Sequence, residues 1–533
     1  MSRAVGVPFD LLIRGGSVVD GTGAATHRAD VGVRGSRIVF VGTSDAGQDS
    51  NTIIDASGSV VAPGFVDIHG HSDLAVLSAP MVPSKIRQGV TTEVMGNCGL
   101  SAAPLSPEAD VATYRVAMAT GDVDPSVTWD WRDVVEYRER VNRGGVSMNV
   151  ALLAGHLPIR VAVVGYDARP ATASELTAMQ RIADRALAQG ACGLSTGLSL
   201  APMTSATPDE LVALGEVAAD HDKIFSFHMR DYTDHLLDAV SEVLDVARRT
   251  GCRVQVSHLA VIGRNNWGAV SDALAMIDDA VAAGSRVGVD VYPYVAGSGN
   301  LTQLLPDWLL EGGRTAQLQR LSDPGARARV LEEVGGGSRK DTWGDITISS
   351  GEVPEEVVGK SVAEISKLWN LAPAEVVVRL VESSGVTASM VAFGRSEDDV
   401  VAALRHPLTM IGSDGRALDP EGPSGQGKPH PRSYGCYPRV LGPYVRDQQV
   451  LSLEQAVHKA TQKPAEWFGF SDRGVVAPGY VADLVVFDPK TIVDTATFTD
   501  PHRFSDGIRS VIVAGETVVM DGNHTGLRPG AFL

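Results

Sequence analysis

Cysteine is scarce in this chain: Cys98, Cys192, Cys252 and Cys436 are the four in 533 residues, too few and too dispersed for a disulfide framework. A cysteine in such a setting reads as a buried small hydrophobe unless its surroundings argue for a ligand or nucleophile. Long apolar runs are absent as well. Asp10 and Arg14 interrupt the short apolar run at residues 4–9, and no apolar stretch of about 20 residues follows, so neither a signal-peptide core nor a membrane span is expected. Positive charge is in deficit, with 46 Lys and Arg against 64 Asp and Glu, a net charge of −18 that would repel phosphate backbones. These absences point away from nucleic acid, membrane and oxidising compartments and towards a cytoplasmic protein. Glycine, in contrast, is abundant. Its 57 residues, roughly 11% against an average of about 7%, follow no collagen-like period and imply many sharp turns.

The middle of the chain alternates helical and strand-like patterns. Thr207-Pro-Asp-Glu210 has the form of a capping box with proline at the first helical position, and Leu211, Leu214, Val217 and Ala218 follow at helical spacing. A short apolar run then ends at His228. The next units repeat the plan: Leu236, Leu237, Val240, Val243 and Leu244 before Gly251 and a strand near His258, then Leu274, Ile277 and Val281 before Gly284 and a strand ending at Tyr292. Helix, glycine and buried strand at about 30-residue spacing is the pattern of parallel βα units, which close most simply into a barrel.

Eight strand candidates can be counted, at 65–69, 90–95, 147–153, 192–195, 224–227, 253–257, 286–292 and 408–412. The interval between the seventh and eighth is too long for a loop and should hold an inserted subdomain and extra helices, with a polar break at Gly335–Lys340. Both ends of the chain carry short strands without intervening helices, expected to pair in one small β domain. The expectation is therefore an α/β protein: a TIM-like (β/α)8 barrel at 63–473, an insertion at about 297–360, and a β-sandwich domain built from 1–62 and 474–533.

The chemistry-bearing residues fall at strand ends. His69-Gly-His71 follows the first strand, and alternate residues of an extended segment face the same way, so both imidazoles can address one object; a pair of hydrogen-bonded turn histidines is the plainer alternative. His228 ends the fifth strand, His258 the sixth and Asp414 the eighth. Strand C-termini face the catalytic mouth of such a barrel, and imidazole with carboxylate is a ligand set for zinc and similar divalent ions. The other nine histidines, among them His27, His221 and His524, lie mostly in polar or loop contexts, and those read as solvated surface. The glycine pairs Gly15-Gly16 and Gly144-Gly145 read as turns, and Gly193-Leu-Ser-Thr-Gly197 lacks the nearby base of a nucleophile elbow.

Phe65-Val-Asp-Ile-His-Gly-His-Ser-Asp73, Thr92-Glu-Val-Met-Gly-Asn-Cys-Gly99, His228-Met-Arg-Asp231, Ser257-His258, Tyr292-Pro-Tyr294, His430-Pro-Arg432 and Tyr437-Pro-Arg439 resemble, in order along nearly the whole chain, the D-aminoacylase branch of the amidohydrolase superfamily. In that branch a cysteine stands where many relatives bridge two metals with a carboxylated lysine. The resemblance implies that Cys98, His228 and His258 hold a tight zinc, with His69, His71 and Asp414 forming a second, weaker position. It also implies that Asp414 moves the proton during amide hydrolysis, and that Tyr292, Ser298 and Arg432 recognise a substrate carboxylate.

Two positions depart from the pattern: Ala260 stands where the family carries lysine, and Tyr232 where it carries glutamate. Loss of a cation from a carboxylate-binding pocket weakens anion recognition. The implied partner is a small-molecule substrate, with no oligomeric state implied. The first functional expectation is a zinc-dependent N-acyl-D-amino-acid deacylase. The alternatives are an amidohydrolase of cyclic or neutral amides and a non-catalytic metal-binding barrel.

Overall fold

Valine, isoleucine and leucine at alternating or continuous positions write strands at both ends of the chain and through its middle. The computed structural model describes residues 8–45, 50–105, 127–336 and 342–533. The N-terminal strands are β1 (Phe9–Val18), β2 (His27–Arg34), β3 (Arg37–Gly42), β4 (Ser50–Asp55) and β5 (Val60–Pro63). The barrel strands are β6 (Phe65–Asp67), β7 (Val90–Met95), β8 (Asn149–Gly155), β9 (Gly193–Gly197), β10 (Ile224–His228), β11 (Arg253–Val256) and β12 (Val287–Val291). Then come β13 (Ala296–Asn300), β14 (Ile346–Ser350) and β15 (Ser389–Phe393), the last barrel strand β16 (Thr409–Ile411), and β17 (Leu484–Phe487), β18 (Ile508–Val513), β19 (Glu516–Met520) and β20 (Asn523–His524).

All eight expected barrel strands are present, each bound falling within two residues of the sequence reading. They run parallel in the order β16-β12-β11-β10-β9-β8-β7-β6. β6 and β16 share no ladder. The gap between them closes just beyond their C-terminal ends, where the Asp414 N–H donates to the His69 carbonyl at 2.7 Å and the His71 N–H to the Gly415 carbonyl at 3.0 Å. Beneath these bonds, Asp67 accepts from the Ser413 N–H at 2.9 Å and hydroxyl at 2.6 Å, and from Lys85 Nζ at 2.6 Å. Lys85 also lies 3.4 Å from Glu93, and these charged side chains are fully buried. Burial pushes the Glu93 carboxyl up to about 7, against the pull of Lys85.

The strands of both termini form one continuous nine-stranded sheet. β1 makes this possible by changing partner midway, pairing with β4 over its first half and with β5 at Ser17 and Val18. The Gly15-Gly16 pair, expected as a turn, is a bulge inside β1, with Gly15 at φ +76°. β5 then pairs with β17, so Leu11, Ile13, Val31, Val61, Leu484 and Ile512 share one apolar core across both chain ends.

The inserted segment runs further than about 360. Its three-stranded antiparallel sheet has the order β13-β15-β14 and so continues to Phe393. β15 pairs with strands that precede it by roughly 40 and 90 residues, a pairing that periodicity does not reveal. The segment has its own core, including Leu301, Leu309, Ile348, Ile365, Val377 and Leu380. Of the polar break at Gly335–Lys340, only Gly335 and Gly336 lie within the described residues; of the apolar run at residues 4–9, only Pro8 and Phe9 do.

The capping box at Thr207 is half present. Thr207 accepts from the Glu210 N–H, but the Glu210 carboxylate turns inward to His156 Nε2 at 2.7 Å and Arg160 Nη1 at 2.6 Å, all three side chains fully buried. His156 is thus not solvated surface, and neither is His430, which is also buried. Removing one member of such a group strands the others' polarity without solvent. Glu210→Ala is expected to lower unfolding free energy by about 3–5 kcal/mol, against about 1 kcal/mol for Thr207→Ala. Urea denaturation followed by circular dichroism measures both, and equal losses would contradict the assignment.

Candidate metal centre

The loops at the C-terminal ends of the barrel strands present the candidate ligands. His69 and His71 follow β6, Cys98 follows β7, His228 ends β10, His258 follows β11 and Asp414 follows β16. Cys98, His258 and Asp414 have φ of 56°, 37° and 50°, the left-handed region that non-glycine residues seldom occupy. Such strain persists where surrounding bonds over-determine it, and it concentrates at functional sites. Here the bonds are visible. Asn97 Nδ2 donates to the Val94 carbonyl at 3.0 Å, the Ser195 hydroxyl bridges from the Gly96 carbonyl to the Gly99 N–H, and the His258 N–H donates to Asp290 at 2.7 Å. Gly96, at φ +77°, packs so closely on the Leu153 carbonyl that a Cβ would overlap it. Ser195 therefore braces the cysteine loop.

Five of the six candidates are linked by direct contacts. Cys98 Sγ lies 3.3 Å from His69 Nε2 and 3.5 Å from His258 Nε2, and Asp414 lies 2.9 Å from His71 Nε2 and 3.6 Å from His69 Nε2. His228 completes the set: the His228 and His258 ring centres are 4.7 Å apart, and the ligating atoms of Cys98, His228 and His258 lie within 4.8 Å of one another. His69, His71, Cys98 and Asp414 form a second group by the same measure, so Cys98 belongs to both.

The electrostatics of these groups fit a cation. Burial holds the His228 imidazole down to about 3 and the His71 imidazole down to about 4, so both are neutral with lone pairs available. Burial would raise the Asp414 carboxyl, but Arg432 at 2.7 Å and the His71 hydrogen bond outweigh it and keep the carboxyl well below its ordinary value. Burial opposes charge on His69, yet Asp290 and Cys98 push its pKa well up; a bound cation would take the place of that proton. Burial raises the Cys98 thiol, and His69 opposes this. Among the described residues, buried His258 Nδ1 finds no hydrogen-bond partner, an orphaned atom of the kind a metal site leaves behind. Thiolate, imidazole and carboxylate together suit zinc.

A cavity of about 180 Å³ opens onto His71, Cys98, His228, His258 and Asp414 and is lined by Ser298 and Arg432. Tyr292 stands behind this wall, with the Arg432 guanidinium 4.6 Å from its ring centre. His430 positions Arg432: its Nε2 bonds the Ala296 carbonyl at 3.0 Å and its Nδ1 accepts from the Arg432 N–H at 3.0 Å. Tyr232 packs edge-on against His228 at 5.1 Å and accepts from the Met229 N–H at 2.8 Å.

Several supporting residues were not anticipated. Asp290 holds His69 Nδ1 at 3.1 Å and also accepts from the His258 N–H, thereby orienting two candidate ligands. Its signal was present, as the one charged residue in the otherwise apolar run Val287-Gly-Val-Asp-Val291. Ser199, 2.6 Å from His228 Nε2, carried no such signal. Because Cys98 is common to both groups, Cys98→Ala is expected to drop retained zinc from near stoichiometric to a small fraction after gel filtration, while His71→Ala keeps most of it. Elemental analysis reads this directly, and a Cys98→Ala variant that retains full zinc would contradict the assignment.

Residues 52–519 match the model of the amidohydrolase family. The chain is 37% identical over its full length to D-aminoacylase of Alcaligenes xylosoxydans xylosoxydans, covering 99% of that protein. It is also 37% identical to N-acyl-D-glutamate deacylase of the same organism over 98% of this chain and 96% of that one. Among solved structures, N-acyl-D-glutamate deacylase of Bordetella bronchiseptica, complexed with zinc and a phosphonate mimic of the tetrahedral intermediate, superposes with a TM-score of 0.84 at 36% identity, covering 99% of this chain and 100% of that one. An L-hydantoinase of Arthrobacter aurescens shares the fold at a TM-score of 0.57 and 16% identity, over 98% and 99% of the two chains. The (β/α)8 barrel with its additional sheet, the strand-end ligands and full-length identity agree: the chain belongs to the amidohydrolase family, in its D-aminoacylase branch.

Proposed function

We propose that this chain hydrolyses N-acyl-D-amino acids, releasing a carboxylate and the free amino acid. The observation that carries this reading is Arg432, which lines the same cavity as the candidate metal ligands while pairing with Asp414 at 2.7 Å and lying on Tyr292. A guanidinium there can hold a substrate carboxylate a short distance from the amide to be cut. Ser298 adds a hydroxyl to the same wall, its Oγ donating to the Met390 carbonyl at 3.1 Å while its lone pairs stay available. Three relatives matched along nearly their whole length, a D-aminoacylase, an N-acyl-D-glutamate deacylase and an N-acyl-D-aspartate deacylase, support the same substrate class.

Cys98, His228 and His258 would hold the tighter zinc, with His69, His71 and Asp414 forming the weaker position. A zinc ion so held supplies Lewis acidity to the scissile carbonyl and lowers the pKa of water. Asp414, kept ionised by Arg432 and His71, accepts the proton of the attacking water at its carboxylate and returns it to the leaving amine. Asp290 keeps its proton donor, His69 Nδ1, oriented so that Nε2 faces the ligand cluster.

Asp414→Asn removes the proton acceptor while preserving size, so kcat is expected to fall by about 10²–10⁴-fold with the fold intact. Near-normal turnover would overturn the role given to Asp414. A panel of N-acetyl-D-amino acids, their L-enantiomers, simple amides and cyclic imides tests the substrate class. Turnover confined to ring substrates would replace the deacylase reading with that of a cyclic amidohydrolase.

A further inference from the structure

Ala260, the position where the sequence lost an expected cation, lines a small void together with Tyr292, Tyr294, Arg395 and Ser396. A different cation has arrived beside it. The Arg395 guanidinium lies 4.8 Å from the centre of the Tyr292 ring, the same ring on which Arg432 lies at 4.6 Å. A Cβ added to Gly297 would stand 2.8 Å from Arg395 Nη2 and 3.6 Å from Tyr292 Oη, so the missing side chain at 297 is what leaves the guanidinium room next to Ser298.

The backbone around Arg395 is pinned on both sides. Gly394 turns at φ +124°, and its carbonyl accepts from the Gly263 N–H and the Trp267 indole, both at 3.0 Å. Ser396 caps the helix Glu397–Arg405 by accepting from the Asp398 and Asp399 N–H groups. Arg395 itself donates its N–H to the Val295 carbonyl at 3.3 Å. The side chain is thus aimed, yet it is not consumed by structure: among the described residues no carboxylate lies within ion-pairing distance of it, and its buried Nε has no hydrogen-bond partner. Two guanidiniums share one aromatic ring, and Asp414 answers only Arg432. Arg395 lines this void and is partly buried, so the share of its charge removed from water is unfavourable unless an anion completes it.

We propose that Arg395 is a specificity-determining residue, the second cation that binds the substrate's carboxylate alongside Arg432, Tyr292 and Ser298. It takes over, from the segment that follows β15, the electrostatic task that Ala260 does not perform. The inference rests on the N-acyl-amino-acid reading above and deepens it: the preferred substrates are anionic despite the alanine at 260.

The test compares N-acetyl-D-methionine with its neutral carboxamide on the zinc-loaded enzyme, using Arg395→Met, Arg395→Lys and Arg432→Met with thermal melting and zinc content as controls of folding. Arg395→Met is expected to lower the acid-to-carboxamide ratio of kcat/KM by about tenfold or more, the usual size of a charged hydrogen bond, through KM of the acid, with kcat of the acid little changed. Arg395→Lys should recover most of the ratio. If Arg395→Met leaves the ratio unchanged while Arg432→Met lowers it, the deacylase reading stands and the role of Arg395 is overturned. A proportional loss on both substrates would instead mark Arg395 as a structural clamp on Tyr292 and equally overturn the inference. A wild-type enzyme that cleaves neutral amides and no N-acyl amino acid would overturn the deacylase reading, and Arg395 would fall with it.

Discussion

The closure of the barrel between its first and last strands is the constraint on which the rest of this molecule depends. No ladder joins β6 to β16; the backbone of His69, His71, Asp414 and Gly415 makes the join, and Asp67, Ser413 and Lys85 fill the space below it. Two of the residues that close the barrel, His71 and Asp414, therefore also face the cavity. A buried ion pair is a weak source of net stability, but once formed it admits few alternative arrangements. Lys85 between Asp67 and Glu93 accordingly fixes the register in which His69 meets Asp414.

The same economy is visible above the join. Asp290 orients His69 through its side chain and His258 through its backbone, so one carboxylate sets two imidazoles belonging to opposite candidate metal positions. Asn97 and Ser195 do the corresponding work for Cys98. Three candidate ligands sit at positive φ, and in each case a hydrogen bond to a neighbouring strand or loop holds the conformation. Strain of this kind, held in place by bonds from other elements, is characteristic of sites whose geometry must not relax.

Much of the fold could be read from the chain itself. Apolar runs bounded by glycine and helical spacing located all eight barrel strands, because secondary structure and burial leave a periodic trace in a single segment. The Gly96-Asn97-Cys98-Gly99 motif singled out one cysteine among four. Where the reading failed, the cause was pairing between distant segments. The inserted sheet extends to Phe393 because β15 pairs with β13 and β14, Glu210 left its expected cap for His156 and Arg160, and Gly15-Gly16 became a bulge because β1 changes partners. His156 and His430 read as surface for the same reason, since their burial comes from partners elsewhere in the chain.

The sequence by itself determined the inventory: which elements form, and which strand ends carry imidazole, thiol and carboxylate. Each of these is a property of residue type and local spacing. The tertiary structure alone decided the neighbours: that Cys98 touches both His69 and His258, that Asp290 stands behind two ligands, and that Arg395 reaches the ring of Tyr292 from beyond β15. Electrostatic and hydrogen-bond interactions act over a few ångströms, whereas the residues that make them here are separated by tens to hundreds of positions. Only the folded chain brings them within range.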